Sequence, residues 1–363
     1  VVKASEGKDA ILTAALRRVR PAWWGVLVMG LLTLYFAQTQ SAFVVYVYNT
    51  CLLASLGAIA LNLLMGTAGQ ASIGNAAFLA IGAFVSVWML RAGVPFPGDI
   101  VIAAIVAGAA GLLAGAPAVR LHGLELALAT LAAQFITLFF ANQYQVHSAG
   151  SAGFSVVPLF NSAGLIGSGR DWAWLLFGIV SVTILIVSRL MRERAGRALR
   201  MIRDHDVAAP ALGIPVVRYK LMIFTFSSMI IGLEGGLMAH FTGSVTVDNY
   251  TLALAIQYVA MILIGGLDSI AGSVIGAAIV IALPVIIPNI VSHLLGANQA
   301  ATNGSNISVI VYGVLIIVFI IGSAGGGIIG TLKNLGSSRS AKAAAGAGND
   351  LVRRLVPILG RRA

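Results

Sequence analysis

The sequence predicts an all-α integral membrane protein, a polytopic bundle of about eight to ten transmembrane helices with broken or re-entrant segments. Three observations carry that prediction. Hydrophobic residues fill 59% of 363 positions and charged residues only 10%, too little polar surface to cover a soluble globule of that length. Apolar runs long enough to be membrane helices recur along the whole chain. Lys and Arg are gathered into blocks between those runs.

The runs fall at 22–38, 42–65, 76–90, 99–119, 123–141, 172–190, 219–242, 252–266, 270–291 and 307–324, against about 20 residues needed per crossing. The third and eighth are short enough to be half-helices or re-entrant. The first follows Arg17, Arg18 and Arg20 as a secretory signal would. Nine further runs come after it, which favours an uncleaved span.

Twenty of the 23 Lys and Arg lie in three blocks: before the first run, between Arg189 and Lys220, and after the last run. With a cytoplasmic amino terminus, ten crossings place all three blocks and the carboxyl terminus on the same side, as the positive-inside pattern requires. Residues 1–21 then form a cytoplasmic segment, 22–325 a transmembrane domain, and 326–363 a basic cytoplasmic tail expected to be disordered or to lie on the anionic leaflet. The connections 142–171 and 292–306 face outward. A formal charge of +11 without a basic face interleaved with aromatics gives no support for nucleic-acid binding.

Cys51 is the single cysteine, and the five histidines show no i, i+4 pair. No disulfide framework, thiolate metal site or haem-ligand pair is thereby suggested.

The stretch "LNLLMGTAGQASIGNAAFLAIGAF", residues 61–84, interrupts an apolar run with Gly66, Gly69, Gln70, Ser72, Gly74 and Asn75. Non-helical backbone at membrane depth is tolerated only where protein or a water-filled path surrounds it. These residues are therefore candidates for a translocation pathway; a short loop between two helices is the alternative. A second interruption, "MILIGGLDSIAGSVIGAA" at 261–278, brings Gly265, Gly266 and Asp268. Paired breaks in two halves are what a transporter built from structural repeats would show. Glycines four apart at Gly111/Gly115, Gly232/Gly236, Gly272/Gly276 and Gly322/Gly326 signal close helix packing.

Two acids fall inside or near spans. Glu125 sits beside His122 and Arg120 and is expected to form an ion pair at the membrane interface. Glu234 lies deeper, either lining a path or protonated and hydrogen-bonded to a neighbouring helix.

Between 189 and 221 the chain changes character: "RLMRERAGRALRMIRDHDVAAPALGIPVVRYKL". Arg194, Arg197, Arg200 and Arg203 recur every third residue, opposite a stripe of Ala195, Ala198, Leu199 and Ile202. Asp204 and Asp206 suit the start of a second short helix, Gly213 a left-handed stop, and Pro215 bars continuation.

Within this elbow, "VAAPALG" spaces Ala208 and Ala209 from Gly213 in a way that resembles the coupling motif of ABC-importer permeases, the helix that docks on the ATPase. Together with the two interruptions and "LHGLELALATLA" at 121–132, it makes residues 50–325 similar to the branched-chain amino acid ABC-importer permeases, the longer, M-type of the two paralogous subunits. That family usually has a Glu where Val207 or Pro210 stands here.

The resemblance implies coupling to an ATPase through 190–218, with Arg197, Arg200, Arg203, Asp206, Ala208, Ala209 and Gly213 as the coupling residues. It implies a paralogous permease subunit, two ATPase subunits, an extracytoplasmic substrate-binding protein and a home in the bacterial cytoplasmic membrane. The only Gly-Lys, Gly7-Lys8, lacks the upstream glycine of a phosphate loop. ATP and magnesium are accordingly expected on the partner ATPase, and no cofactor on this chain. Leucine, isoleucine and valine are the implied solutes, with urea, short amides and other amino acids as alternatives. An ion-coupled transporter or channel using Glu234 and Asp268 is the reading from a different class.

Overall fold

The computed structural model describes residues 25–36, 38, 40–117, 120–121, 123–156, 169–206, 208–295, 313, 314 and 317, with backbone alone over 287–295. The amino-terminal segment, the basic tail and nearly all of the predicted tenth run lie outside the described residues.

Ten α-helices account for most of what is described. They are α1 Gly25–Phe36, α2 Ala42–Asn62, α3 Asn75–Arg91, α4 Gly98–Gly115, α5 Leu124–Ala149, α6 Gly169–Arg192, α7 Arg194–Asp204, α8 Val216–Thr242, α9 Leu252–Gly265 and α10 Ile270–Leu295. All but α7 coincide with predicted apolar runs. Among the described residues, six segments are long and apolar enough to cross a membrane; α1, α3 and the part of α10 to Ile286 are shorter apolar helices. The protein is an all-α, multi-pass membrane protein.

Side-chain contacts fix the direction of the central helices. Gly66, just past α2, and Asp268, just before α10, both touch arginines of α7. The end of α2, the start of α3, the end of α9 and the start of α10 therefore share the α7 end of the bundle. At the far end Asp99, opening α4, meets His240, near the end of α8, at 2.6 Å, and Ser86 of α3 donates to the same carboxylate oxygen at 2.6 Å. All three are fully buried. There too, two-residue strands β1, Phe154–Ser155, and β2, Ser244–Val245, pair antiparallel.

The helices thus alternate in direction, as the spacing of runs predicts. The chain departs from the predicted outer connection at 142–171, because α5 continues to Ala149 and α6 begins at Gly169. The polar residues past 141 stay helical through tertiary contacts: Gln145 Oε1 accepts the Val247 amide at 2.9 Å, and Tyr144 stacks on Phe154. Glu125 is an exposed residue in the first turn of α5, and its neighbour His122 lies outside the described residues.

The core sits where α8 packs on α4 and α3, with α2 against α10 and α6. Predicted small-residue pairs mediate these approaches. Gly115 faces the Phe224 side chain, Gly232 faces Ala107, and Gly276 lies on the Met261 backbone. Such contacts replace the hydrophobic drive that is lost in lipid. Gly178 is a counterexample on α6: among the described residues nothing lies within 4 Å of a would-be Cβ. Gly178→Ala is expected to raise stability by up to about 1 kcal/mol through helix propensity, read as a higher melting temperature in detergent.

Candidate coupling site

The two sequence interruptions, 201 positions apart at Thr67 and Asp268, meet each other and the arginine helix in one polar knot. Its centre is Asn62, buried near the end of α2. Its Nδ2 donates to the Ser269 carbonyl at 3.0 Å, the Ser273 hydroxyl at 2.7 Å and the Gly266 carbonyl at 3.2 Å, while its Oδ1 accepts the Asp268 amide at 2.9 Å. One amide side chain satisfies the backbone freed where α9 stops and α10 has not begun, which is what non-helical chain in this setting requires.

Past Asn62 the helix widens into a π-turn, Leu63–Thr67, and Thr67 Oγ1 donates to Asp268 Oδ1 at 2.9 Å. Asp268 has φ 61, a left-handed conformation that Asp tolerates better than most residues. Arg200 grips its carboxylate from α7, with Nε on Oδ2 at 2.9 Å and Nη2 on Oδ1 at 3.3 Å. This two-point fork fixes direction as well as charge.

Arg203, one turn on, donates Nη1 to the Gly66 carbonyl at 2.6 Å and Nε to Asp204 Oδ1 at 2.9 Å. The hydrogen bond and positive charge of Arg203 hold the exposed Asp204 carboxyl below its usual range. The arginine stem runs over Gly69, whose φ is +68 and where a Cβ would lie 2.6 Å from Arg203 Cγ. Gly69 therefore has two reasons to be glycine: the left-handed turn and the stem laid across it.

α7 is held by its apolar stripe, with Leu199 and Ile202 buried as predicted. Beyond it the predicted second helix is a single 3-10 turn, Pro210–Leu212, closed by Gly213 at φ 76. Ala208, Ala211, Leu212 and Gly213 are exposed and Ala209 is buried beneath them. Asp206 starts no helix: it pairs with the buried Lys220 of α8 at 2.9 Å. Buried Gln70 donates Nε2 to the Lys220 carbonyl at 3.2 Å. The base of the exposed turn is thus pinned to the first interruption.

The other predicted positions lie further from this knot. Arg197 Nη1 donates to the Arg192 carbonyl at 3.0 Å. Ser72 and Asn75 are buried; Gly74 abuts the Thr130 carbonyl of α5, and Thr130 Oγ1 caps the Ile73 amide at 3.1 Å. Among the described residues, neither polar atom of the Asn75 amide has a hydrogen-bond partner. Gly265 sits against Gly272. Glu234 is buried away from α7, accepts the Tyr258 hydroxyl, and faces Gly57 of α2. The residues that sequence reasoning missed are Asn62, Thr67 and Lys220; the first was visible as one of two amides, with Asn49, inside an otherwise apolar run.

The chain is a multi-pass α-helical bundle whose interrupted spans are tied to an arginine helix beside an exposed turn on one face. A family model described as "Branched-chain amino acid transport system / permease component" matches residues 43–320, and the chain belongs to that family of permeases. It is 29% identical over 237 residues to the high-affinity branched-chain amino acid transport system permease protein LivM of Escherichia coli, and 28% to that of Salmonella typhimurium, covering 58% of this chain and 56% of each relative. The probable branched-chain amino acid transport permease protein LivM of Methanocaldococcus jannaschii is 24% identical over 186 residues, covering 49% of this chain and 53% of that protein. The chain therefore spans little more than half the length of the curated relatives it matches. No solved structure matches it.

Proposed function

We propose that this chain is the transmembrane permease subunit of an ATP-binding-cassette importer that moves leucine, isoleucine and valine across the bacterial cytoplasmic membrane, with its termini cytoplasmic. The observation that carries this reading is the tie between Arg200, Arg203, Asp268 and the Gly66 carbonyl. It gives a push on the exposed 208–213 turn a direct route into both interrupted spans. Similarity to branched-chain amino acid transport permeases supports the choice of solute.

In this reading residues 190–218 dock on one of two ATPase subunits, which hold ATP and magnesium. A paralogous permease completes the membrane domain, and an extracytoplasmic binding protein delivers solute at the β1–β2 end. Closure of the ATPase pair favours one arrangement of the bundle over another only by differential contact energy. Asp206 and Lys220 keep the base of the turn stiff, so movement of the turn reaches α8 and Gln70. Arg200 and Arg203 carry it to Asp268 and Gly66. The buried polar residues Ser72, Asn75 and Glu234, with Gly74, Gly265 and Gly266, belong to the moving spans.

Reconstituted in vesicles with its partner subunits, the chain is expected to take up radiolabelled leucine only with ATP and the ATPase present. Uptake by this chain alone on a sodium or proton gradient would refute the proposal. Leu212, 68% exposed at the tip of the turn, is the natural anchor: Leu212→Ala is expected to weaken ATPase co-purification by about 1 kcal/mol, several-fold.

A further inference from the structure

Helix α5 hides its polar side chains and shows its apolar ones. Phe135, Ile136, Phe139 and Phe140 are exposed, whereas three of its five buried residues, Thr130, Gln134 and Gln145, are polar. Thr130 and Gln145 have their partners, the Ile73 amide at 3.1 Å and the Val247 amide at 2.9 Å. Gln134 differs. Among the described residues neither polar atom of its carboxamide has a hydrogen-bond partner, and the side chain is wholly buried.

Asn75, the first residue of α3, is in the same condition. The two lie along one seam. α3 and α5 pack on each other and both run outward from the α7 end; Gly74 abuts the Thr130 carbonyl, and Gln134 follows Thr130 by one turn, about 6 Å along the helix. Buried amides left unpaired are costly, and they call for a partner supplied in another arrangement of the protein or by a ligand.

The chemistry of that partner can be read from the lining. A carboxamide oxygen accepts from an ammonium, and its NH2 donates to a carboxylate. Between Asn75 and Leu90 of α3, and between Leu126 and Val146 of α5, there is no charged residue. A neutral, dipolar lining suits a molecule that carries both charges and is neutral overall, as an amino acid zwitterion does. A lone cation or anion would find no counter-charge there.

We propose that the seam between α3 and α5 is the route of the solute, Asn75 and Gln134 taking the ammonium and carboxylate of an amino acid when the two helices part. The inference rests on the importer reading above and names the residues that meet its cargo. With both amides shut from solvent and Gly74 against Thr130, the seam is closed in this arrangement. In the open one the solute becomes the partner of both side chains.

The test uses the transporter reconstituted with its partner subunits and carrying Gln134→Met or Asn75→Leu, which keep the shape of the side chain and remove the amide. Leucine delivered per ATP hydrolysed is expected to fall about tenfold in each, the worth of one hydrogen bond to a charged group, with ATP hydrolysis retained. The melting temperature in detergent should stay level or rise, because an unpaired buried amide has gone. A diazirine analogue of leucine, photolysed during turnover, should attach to α3 or α5 of the parent complex.

Unchanged uptake in both variants, or attachment confined to other helices, overturns the proposal and leaves the importer reading intact. A lowered melting temperature, with uptake and hydrolysis lost in parallel, would make the amides structural, and the proposal falls likewise. Failure of the parent complex to import leucine with ATP is a different result: it sinks the importer reading, and this inference with it.

Discussion

In the reconstituted transporter, Asp268→Asn is expected to lower ATP-driven uptake at least tenfold while ATP hydrolysis and the yield of assembled complex stay near normal. Asparagine is chosen because it tolerates the left-handed conformation at φ 61, so the substitution removes charge without adding backbone strain. Arg200 loses its two-point partner, and its guanidinium and that of Arg203 are left without the carboxylate between them. The side chains of Arg200 and Asp268 are 35% and 27% exposed, so solvent screening limits the pair to about 1 to 2 kcal/mol of stability. A loss of that size leaves the bundle folded. It does, however, separate the arginine helix from the second interruption, and uptake should fall far more than stability.

A cycle with Arg200→Gln separates coupling from general damage. If the two residues act through each other, the double variant is no worse than either single one. Additive losses, or normal uptake in Asp268→Asn, would mean the contact fastens the fold without transmitting motion.

The helices were legible because each apolar run is long and the breaks between runs carry glycine or charge; most starts and ends agree within a few residues. α5 was read short because Asn142, Gln143 and Gln145 look like a loop by polarity alone. Their helical state depends on Gln145 reaching Val247, a partner 102 residues away. The interruptions were legible for the same local reason: glycines and small polar residues with no charge inside an apolar run.

What joins the interruptions was not legible. Asn62 meets Ser273 across 211 positions, and no periodicity in one chain announces such a pairing. The arginines illustrate the same limit. Their three-residue spacing predicted a face of α7 but not that Arg200 and Arg203 turn inward to a carboxylate and a backbone carbonyl. The knot of Asp99, His240 and Ser86 escaped notice altogether, since each residue looks ordinary in its own stretch and only the fold brings the three together. Asp206 was read by local rules as a helix initiator. The ion pair with Lys220, 14 residues away, uses its carboxylate instead.

Gly265→Val is expected to reduce the yield of folded protein sharply and to destabilise what remains by about 3 kcal/mol, the upper part of the range for an overpacked contact. A Cβ at 265 would run into the carbonyl group of Gly272, and one at Gly272 into that of Gly265. Both obstacles are backbone, so no side-chain rotation relieves them. The start of α10 has to move instead. That movement carries Ser269 and Ser273 away from Asn62 and displaces Asp268 from Arg200. Gly265→Val should therefore lose thermal stability and uptake together, unlike Asp268→Asn, which loses uptake first. Thermal melting in detergent beside Gly178→Ala makes the comparison direct, because both exchange a helical glycine and only one has backbone against it. A melting temperature for Gly265→Val equal to the parent would show that α9 and α10 can separate without cost, and that the second interruption is a loose hinge instead of a packed joint.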